Sequence, residues 1–217
     1  MVNQNIFDQN KIIYLPDPVL KIKETIKMSK EDFAIDNKFF KIFFLLAIGR
    51  LTKQKNFSFL IESFHQLNKK YQNYNLYIIG DGEQKEILNK KIKNLNMEKK
   101  IFLLGYKKNI FPYLKNSKAF ILSSLWEDPG FVLIEAGLMN KIVLSSDCPN
   151  GPVEILNNGK NGFLFKSNST ESFINNFEKM VNEDDMNIAK MKINLKKKCK
   201  EFTLYNHYKI LNSIVNE

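Results

Sequence analysis

Two apolar rhythms alternate along this chain. Short continuous apolar runs give way to segments whose apolar positions recur every three or four residues, and the exchange repeats several times. "KIFFLLAIGR" (41–50) predicts a buried strand that ends on a glycine. After it, Phe57, Leu60, Ile61, Phe64 and Leu67 fall at i, i+3, i+4, i+7 and i+10, one face of an amphipathic helix with Asn56 as its expected N-cap. "NLYIIGDG" is the next predicted strand and "EQKEILNKKIKNL" the next helix. "KIFLLGY", "AFILSS" and "KIVLSS" continue as strands, separated by the helices "NIFPYLKN" and "FVLIEAGLMN". "GPVEILNNGKNGFLF" reads as a short helix, a Gly-rich turn and a last strand, and from Thr170 onward the pattern is helical. Strands alternating with helices specify βαβ units. The expected fold class is therefore α/β: a doubly wound, Rossmann-like parallel sheet followed by C-terminal helices. Ligands of such sheets bind at the carboxyl ends of the strands, where most of the Gly-bearing loops of this chain fall.

Composition narrows the partners. With 217 residues and 44% hydrophobic content, there is enough apolar material for one large core. The net charge of +10 suits an anionic partner such as a nucleotide, a nucleic acid or a membrane surface. The lysines are scattered over helix faces, however, as in a solvated surface. No interleaved aromatic and basic pattern supports a nucleic-acid binder, so none is expected. The 2 cysteines, Cys148 and Cys199, match no metal or redox spacing and are read as inert thiols of a reducing compartment. "MVNQNIFDQNK" has no apolar core segment of a signal peptide, and "IFFLLAIG" is far short of the ~20 residues that cross a bilayer. The expected location is cytoplasmic, with peripheral attachment at the inner face of the membrane an option that the basic charge opens.

Two constellations carry chemistry. In "GRLTKQKNF", Gly49 lets the chain turn, Arg50 offers a planar bidentate fork for phosphate, and Lys55 adds a point charge near a helix start. Spacing alone leaves open that Arg50 pairs with a core carboxylate and that Lys55 is solvated. In "SLWEDPGFVLIEAGLMN", Glu127 precedes a chain-turning Asp-Pro-Gly, and a helix is expected to begin near Phe131. Glu135 then stands one turn inside that helix, on the face of Phe131 and Val132. The two carboxylates would bracket N–H groups that favour a phosphate, and carboxylates accept well from sugar hydroxyls. The plain alternatives are Glu127 as a helix-start residue and Glu135 as a rim glutamate paired with a lysine.

Taken in order, "GRLTKQKN", "IIGDGEQKEIL", "FLLGY", "EDPGFVLIEA" and "GPVEILNNGKNGFLF" resemble the C-terminal half of family 4 retaining glycosyltransferases, which have the two-domain GT-B architecture. The resemblance runs from about Lys11 to Val181. It implies that this half binds a nucleotide-sugar, with a UDP-sugar the expected donor and no metal required. Glu127, Arg50 and Lys55 become the expected catalytic group. By the same resemblance Arg50 and Lys55 hold the diphosphate, Glu127 contacts the donor-sugar hydroxyls and Glu135 holds the ribose. Gly49, Gly130, Phe131 and Val132 would line the phosphate and sugar, and Tyr106 and Lys107 would frame the base.

Other motifs are given lesser parts. Asp81 in "GDG" is read first as a turn residue, and Gly151 and Glu154 as shaping the sugar pocket. Trp126 is assigned to packing, His65 and His207 to structure, and Glu183–Asp185 to an exposed helix boundary. Residues 1–40 resemble the interdomain crossover, 41–182 form the nucleotide-sugar-binding domain, and 183–217 are C-terminal helices. The family's acceptor-binding N-terminal domain has no counterpart in these residues. It is expected as a missing domain or partner chain, to which the last helix would return. The alternative function is a non-catalytic sugar-nucleotide-binding module.

Overall fold

The computed structural model describes residues 12–31 and 43–216. The sequence-based readings of residues 1–11 and 32–42, including the start of the first strand, lie outside the described residues. Among the described residues six strands, all pairing in parallel, make one sheet of order β3-β2-β1-β4-β5-β6. They are β1 (Phe43–Ile48), β2 (Tyr74–Ile79), β3 (Ile101–Leu103), β4 (Ala119–Leu122), β5 (Val143–Ser146) and β6 (Phe163–Phe165). Helices α1 (Ile22–Met28), α2 (Phe57–Asn68), α3 (Lys85–Asn94), α4 (Phe111–Asn116) and α5 (Phe131–Leu138) accompany the first five strands. They are followed by α6 (Pro152–Ile155), α7 (Thr170–Asn182), α8 (Asp185–Cys199) and α9 (Leu204–Val215). This is the doubly wound α/β fold that the alternation predicts.

The near-continuous apolar runs follow from burial on both faces of the sheet. Successive residues of a strand point to opposite faces, and β1 divides accordingly. Leu45 and Ala47 join the layer formed with α2, α3 and α7, while Phe44, Leu46 and Ile48 join the layer on the other side. On α2, the five residues of the expected stripe are all buried. Asn56 does stand at the N-terminus of α2, but it does not cap. It adopts φ 52°, and its side chain donates to Asn168 Oδ1 at 2.7 Å instead. Asp184, within the acidic run read as a helix boundary, does cap α8 by accepting from the Asn187 N–H.

Two features escaped the hydrophobic pattern. Within residues read only as a crossover, α1 packs Ile22 and Met28 against the second layer; 7 residues, about two turns, are too few to show a period. The other is the depth at which α8 is embedded. Leu195 and Cys199 are fully buried, and they cross α5 at Gly137, where a Cβ would collide with the Cys199 sulfur. Burial pushes the Cys199 thiol up to about 12, which favours the protonated thiol.

Candidate functional site

The sheet order reverses between β1 and β4: from β1 the chain winds out to β2 and β3, and from β4 it winds the other way. A parallel sheet leaves a crevice at such a switch point, because the two loops leaving those strands diverge to opposite faces. Here those loops are 49–56 and 123–130, the two stretches that carry Arg50, Lys55 and Glu127.

The loops are joined by hydrogen bonds. Leu125 N–H donates to Gln54 O at 2.8 Å, Gln54 Nε2 to Trp126 O at 3.0 Å, and Ser123 Oγ to Lys55 O at 2.8 Å. On the far side, the Glu127 N–H reaches Pro149 O at 3.1 Å. Gly151 lets loop 149–151 approach this closely: its φ is 133°, and a Cβ there would run into the Pro129 carbonyl. Gly80 plays a similar part beside β1, where a Cβ would collide with the Gly49 carbonyl.

Within this frame Lys55 meets Glu127. The ammonium lies 2.6 and 2.8 Å from the two carboxylate oxygens, and Ser124 Oγ donates to Oε1. Glu127 is 3% exposed. A buried carboxylate persists as an ion only when it is paired and hydrogen-bonded, and Glu127 is both. The stem of Lys55 passes over Gly49, whose missing Cβ would sit 3.1 Å from its methylenes. Gly49 therefore makes room for the lysine as well as turning the chain. Arg50 differs: it is exposed, and among the described residues its side chain has no ion pair or hydrogen bond. The pairing alternative written for Arg50 thus falls to Lys55.

Gly130 stands at the mouth of α5 with φ 91°, and no side chain caps the helix. Its first residue, Phe131, is 43% exposed; Val132 is partly buried. Glu135 lies one turn further in. Its carboxylate pairs with no lysine among the described residues, and burial raises it from the usual 4.5 to about 7. Tyr106 and Lys107 leave the edge strand β3 at the same end of the sheet, and Gly80 N–H reaches Gly105 O at 3.0 Å. Tyr106 is 74% exposed, and no described hydrogen bond or ion pair joins either residue to the Lys55–Glu127 group.

One lesser reading changes, and two others gain partners. Trp126 is not packed away: it is 49% exposed, while the next residue, Glu127, is buried. Glu154 faces Lys198 at 3.7 Å, near the end of α8. Asp81 is a turn residue, accepting from the Gly82 N–H at 2.9 Å and from Lys85 at 3.2 Å. Sequence reasoning also missed Gln54, Ser123 and Ser124. The doublet of serines at the end of a predicted strand was their one signal.

A profile of the family described as Glycosyl transferases group 1 matches residues 28–202. The chain belongs to that family. Among relatives of this group 1 glycosyltransferase chain, a glycosyltransferase of Methanocaldococcus jannaschii is 43% identical over 150 residues, covering 68% of this chain and 37% of that protein. The UDP-Gal:alpha-D-GlcNAc-diphosphoundecaprenol alpha-1,3-galactosyltransferase of Escherichia coli is 31% identical, covering 67% of this chain and 38% of that protein. In three dimensions the fold matches a TarM variant of S. aureus crystallised with Fondaparinux, alpha-GlcNAc-glycerol and UDP. The TM-score is 0.76 at 24% identity, over 99% of this chain and 40% of that one. The chain spans less than half the length of each of these three proteins.

Proposed function

We infer that this chain is the donor-binding half of a family 4 retaining glycosyltransferase, holding a UDP-sugar for transfer to a glycan or lipid-linked acceptor. The meeting of Lys55 and Glu127 at the switch point, beside the uncapped mouth of α5, carries the reading. Arg50 and Lys55 neutralise the diphosphate, assisted by the N–H groups of Gly130, Phe131 and Val132. Glu127 accepts from hydroxyls of the donor sugar, Glu135 accepts from the ribose, and Tyr106 and Lys107 border the base. Stabilising the departing diphosphate is the catalytic share of this half, because charge develops there as the glycosidic bond breaks. The E. coli relative, named for a UDP-linked donor and a diphospholipid acceptor, supports both ligand classes.

Placing an acceptor hydroxyl in line requires a second wall. We assign that wall to an acceptor domain or partner chain, and assign transfer activity to the assembled pair alone. The division into 1–40, 41–182 and 183–217 belongs to the same reading. The surface around α9 supports it. None of its residues is buried, and Tyr205, Tyr208 and Val215 are exposed to 78%, 66% and 78%. Its His207 Nδ1 lies 2.8 Å from Pro16 O, which ties the last helix to the first described segment. A cavity of about 920 Å³ lies beside it, lined in part by Ile22, Leu204 and Tyr205. Among the described residues no helix is long and apolar enough to cross a membrane. Exposed lysines of α8 and its end, including Lys190, Lys197 and Lys200, support peripheral contact with an anionic surface.

Calorimetric titration of the chain with UDP and a panel of UDP-sugars in EDTA tests the proposal. Binding without divalent metal is expected, and no heat at millimolar ligand would overturn it.

A further inference from the structure

Glu127 has a limited number of acceptor positions, and the structure shows how they are divided. A carboxylate offers about four lone-pair sites, two on each oxygen. On Oε1, Lys55 at 2.6 Å and the Ser124 hydroxyl take both. On Oε2, Lys55 at 2.8 Å takes one. One site is left, and it lies on Oε2.

Ser124 is well fixed for this task. It is fully buried just beyond the end of β4, and its carbonyl accepts from Ser146 Oγ at 2.7 Å. That bond joins it to the last residue of the neighbouring strand β5. Next to it, Ser123 holds the carbonyl of Lys55 at 2.8 Å, so the two serines grip both members of the ion pair. Without the Ser124 hydroxyl the plane of the carboxylate could swing about its last bond and turn the free lone pair of Oε2 out of line. The lysine alone, touching both, would not oppose that rotation.

We propose that Ser124 is a positioning residue that saturates Oε1 of Glu127 and so reserves Oε2 for a hydroxyl of the donor sugar. The assignment rests on the reading of Glu127 as the sugar contact. It deepens that reading by naming the oxygen and the residue that selects it. Ser124 itself touches no ligand and acts through Glu127.

The test compares affinities for UDP and for the best-binding UDP-sugar in the parent chain, S124A, E127Q and S124A/E127Q. In S124A the preference for UDP-sugar over UDP should fall about tenfold, the loss of one hydrogen bond's worth of alignment to a charged group, with UDP itself changed less than about twofold. The double variant should match E127Q alone, since the serine has no route to the ligand except that carboxylate. An unchanged preference in S124A, or equal weakening of both ligands, would show a purely structural serine and overturn the assignment. Additive losses in the double variant would overturn it too. Should S124A fail to fold, Ser124→Cys keeps a small side chain with only a weak donor. It should lose part of the preference, and a preference equal to the parent's counts against the proposal. A parent chain that binds UDP but shows no preference for any UDP-sugar overturns this inference alone. A parent that binds neither overturns the donor reading itself.

Discussion

The loop Ser123–Glu127 and the helix α5 that follows it each remove a glutamate from water, and they do so by opposite means. In the loop, Glu127 is nearly inaccessible, yet it receives Lys55 on both oxygens and Ser124 on one. In the helix, Glu135 is largely buried with no ion pair among the described residues, and burial lifts it to about 7. The first carboxylate is compensated by the chain itself. The second carries a desolvation cost that nothing among the described residues offsets. An ion pair that satisfies itself can hold a loop in place before any ligand arrives. A carboxyl left uncompensated is better explained by a partner that comes and goes. Perturbed groups cluster at functional sites for this reason.

Removing a partner from each region should therefore have contrasting effects. The largest is expected from Lys55→Met, which strands a buried charge on Glu127. Denaturant unfolding without ligand should show a loss of about 3–5 kcal/mol. Adding Glu127→Gln should recover part of it, since a neutral amide needs no counter-ion. A loss below about 1 kcal/mol would place the pair among surface bridges and erase the contrast.

Glu135 should show itself through pH. Its folded carboxyl titrates above the unfolded one, so the folded state binds more protons between 4.5 and about 7. Stability from this group is thus fully present below 4.5 and is lost as pH rises toward about 7, by up to ~3 kcal/mol. Glu135→Gln should flatten that slope. With Glu135 as the proposed ribose contact, UDP affinity should run the other way, improving as pH rises through about 7, because an ionised carboxylate is the better acceptor. Stability and affinity profiles of equal sign would refute the assignment.

Ligand affinities sharpen the comparison further. Glu135→Ala should weaken UDP and UDP-sugar alike by about 1.5–3 kcal/mol, and Arg50→Ala should do the same. Neither substitution should cost more than about 0.5 kcal/mol in the free protein at pH 8, as neither side chain has a described partner to lose. Calorimetry beside a melting curve distinguishes these outcomes from a general loss of folding. The smallest effect has the least expected sign. Glu127→Gln frees Lys55 for the diphosphate, so UDP should bind tighter by about 0.5–1 kcal/mol, while the sugar-dependent gain of a UDP-sugar disappears. Weaker UDP binding in this variant would mean that Glu127 and the diphosphate do not compete for Lys55.

By itself the sequence determined the layers, the strand and helix order and the end of the sheet at which to look. Those follow from local periodicity: an apolar "FFLLAI" in an alternating chain fits a doubly covered strand, and the stripe from Phe57 to Leu67 fits a face turned to a core. The candidate residues Arg50, Lys55, Glu127 and Glu135 were legible too, through motif order. Their relations to one another were not. Lys55 and Glu127 are 72 positions apart, and spacing that long says nothing about a 2.6 Å contact. The same holds for Ser146 on the Ser124 carbonyl, for Asn168 drawing Asn56 away from its cap, and for Lys198 claiming Glu154. Each depends on which strands are neighbours, and the reversal of strand order between β1 and β4 is what places loops 49–56 and 123–130 side by side. Periodicity is a property of one element and is written locally. A site is made where elements distant in sequence converge, so only the tertiary structure decided which lysine would meet which glutamate and which serine would hold it there.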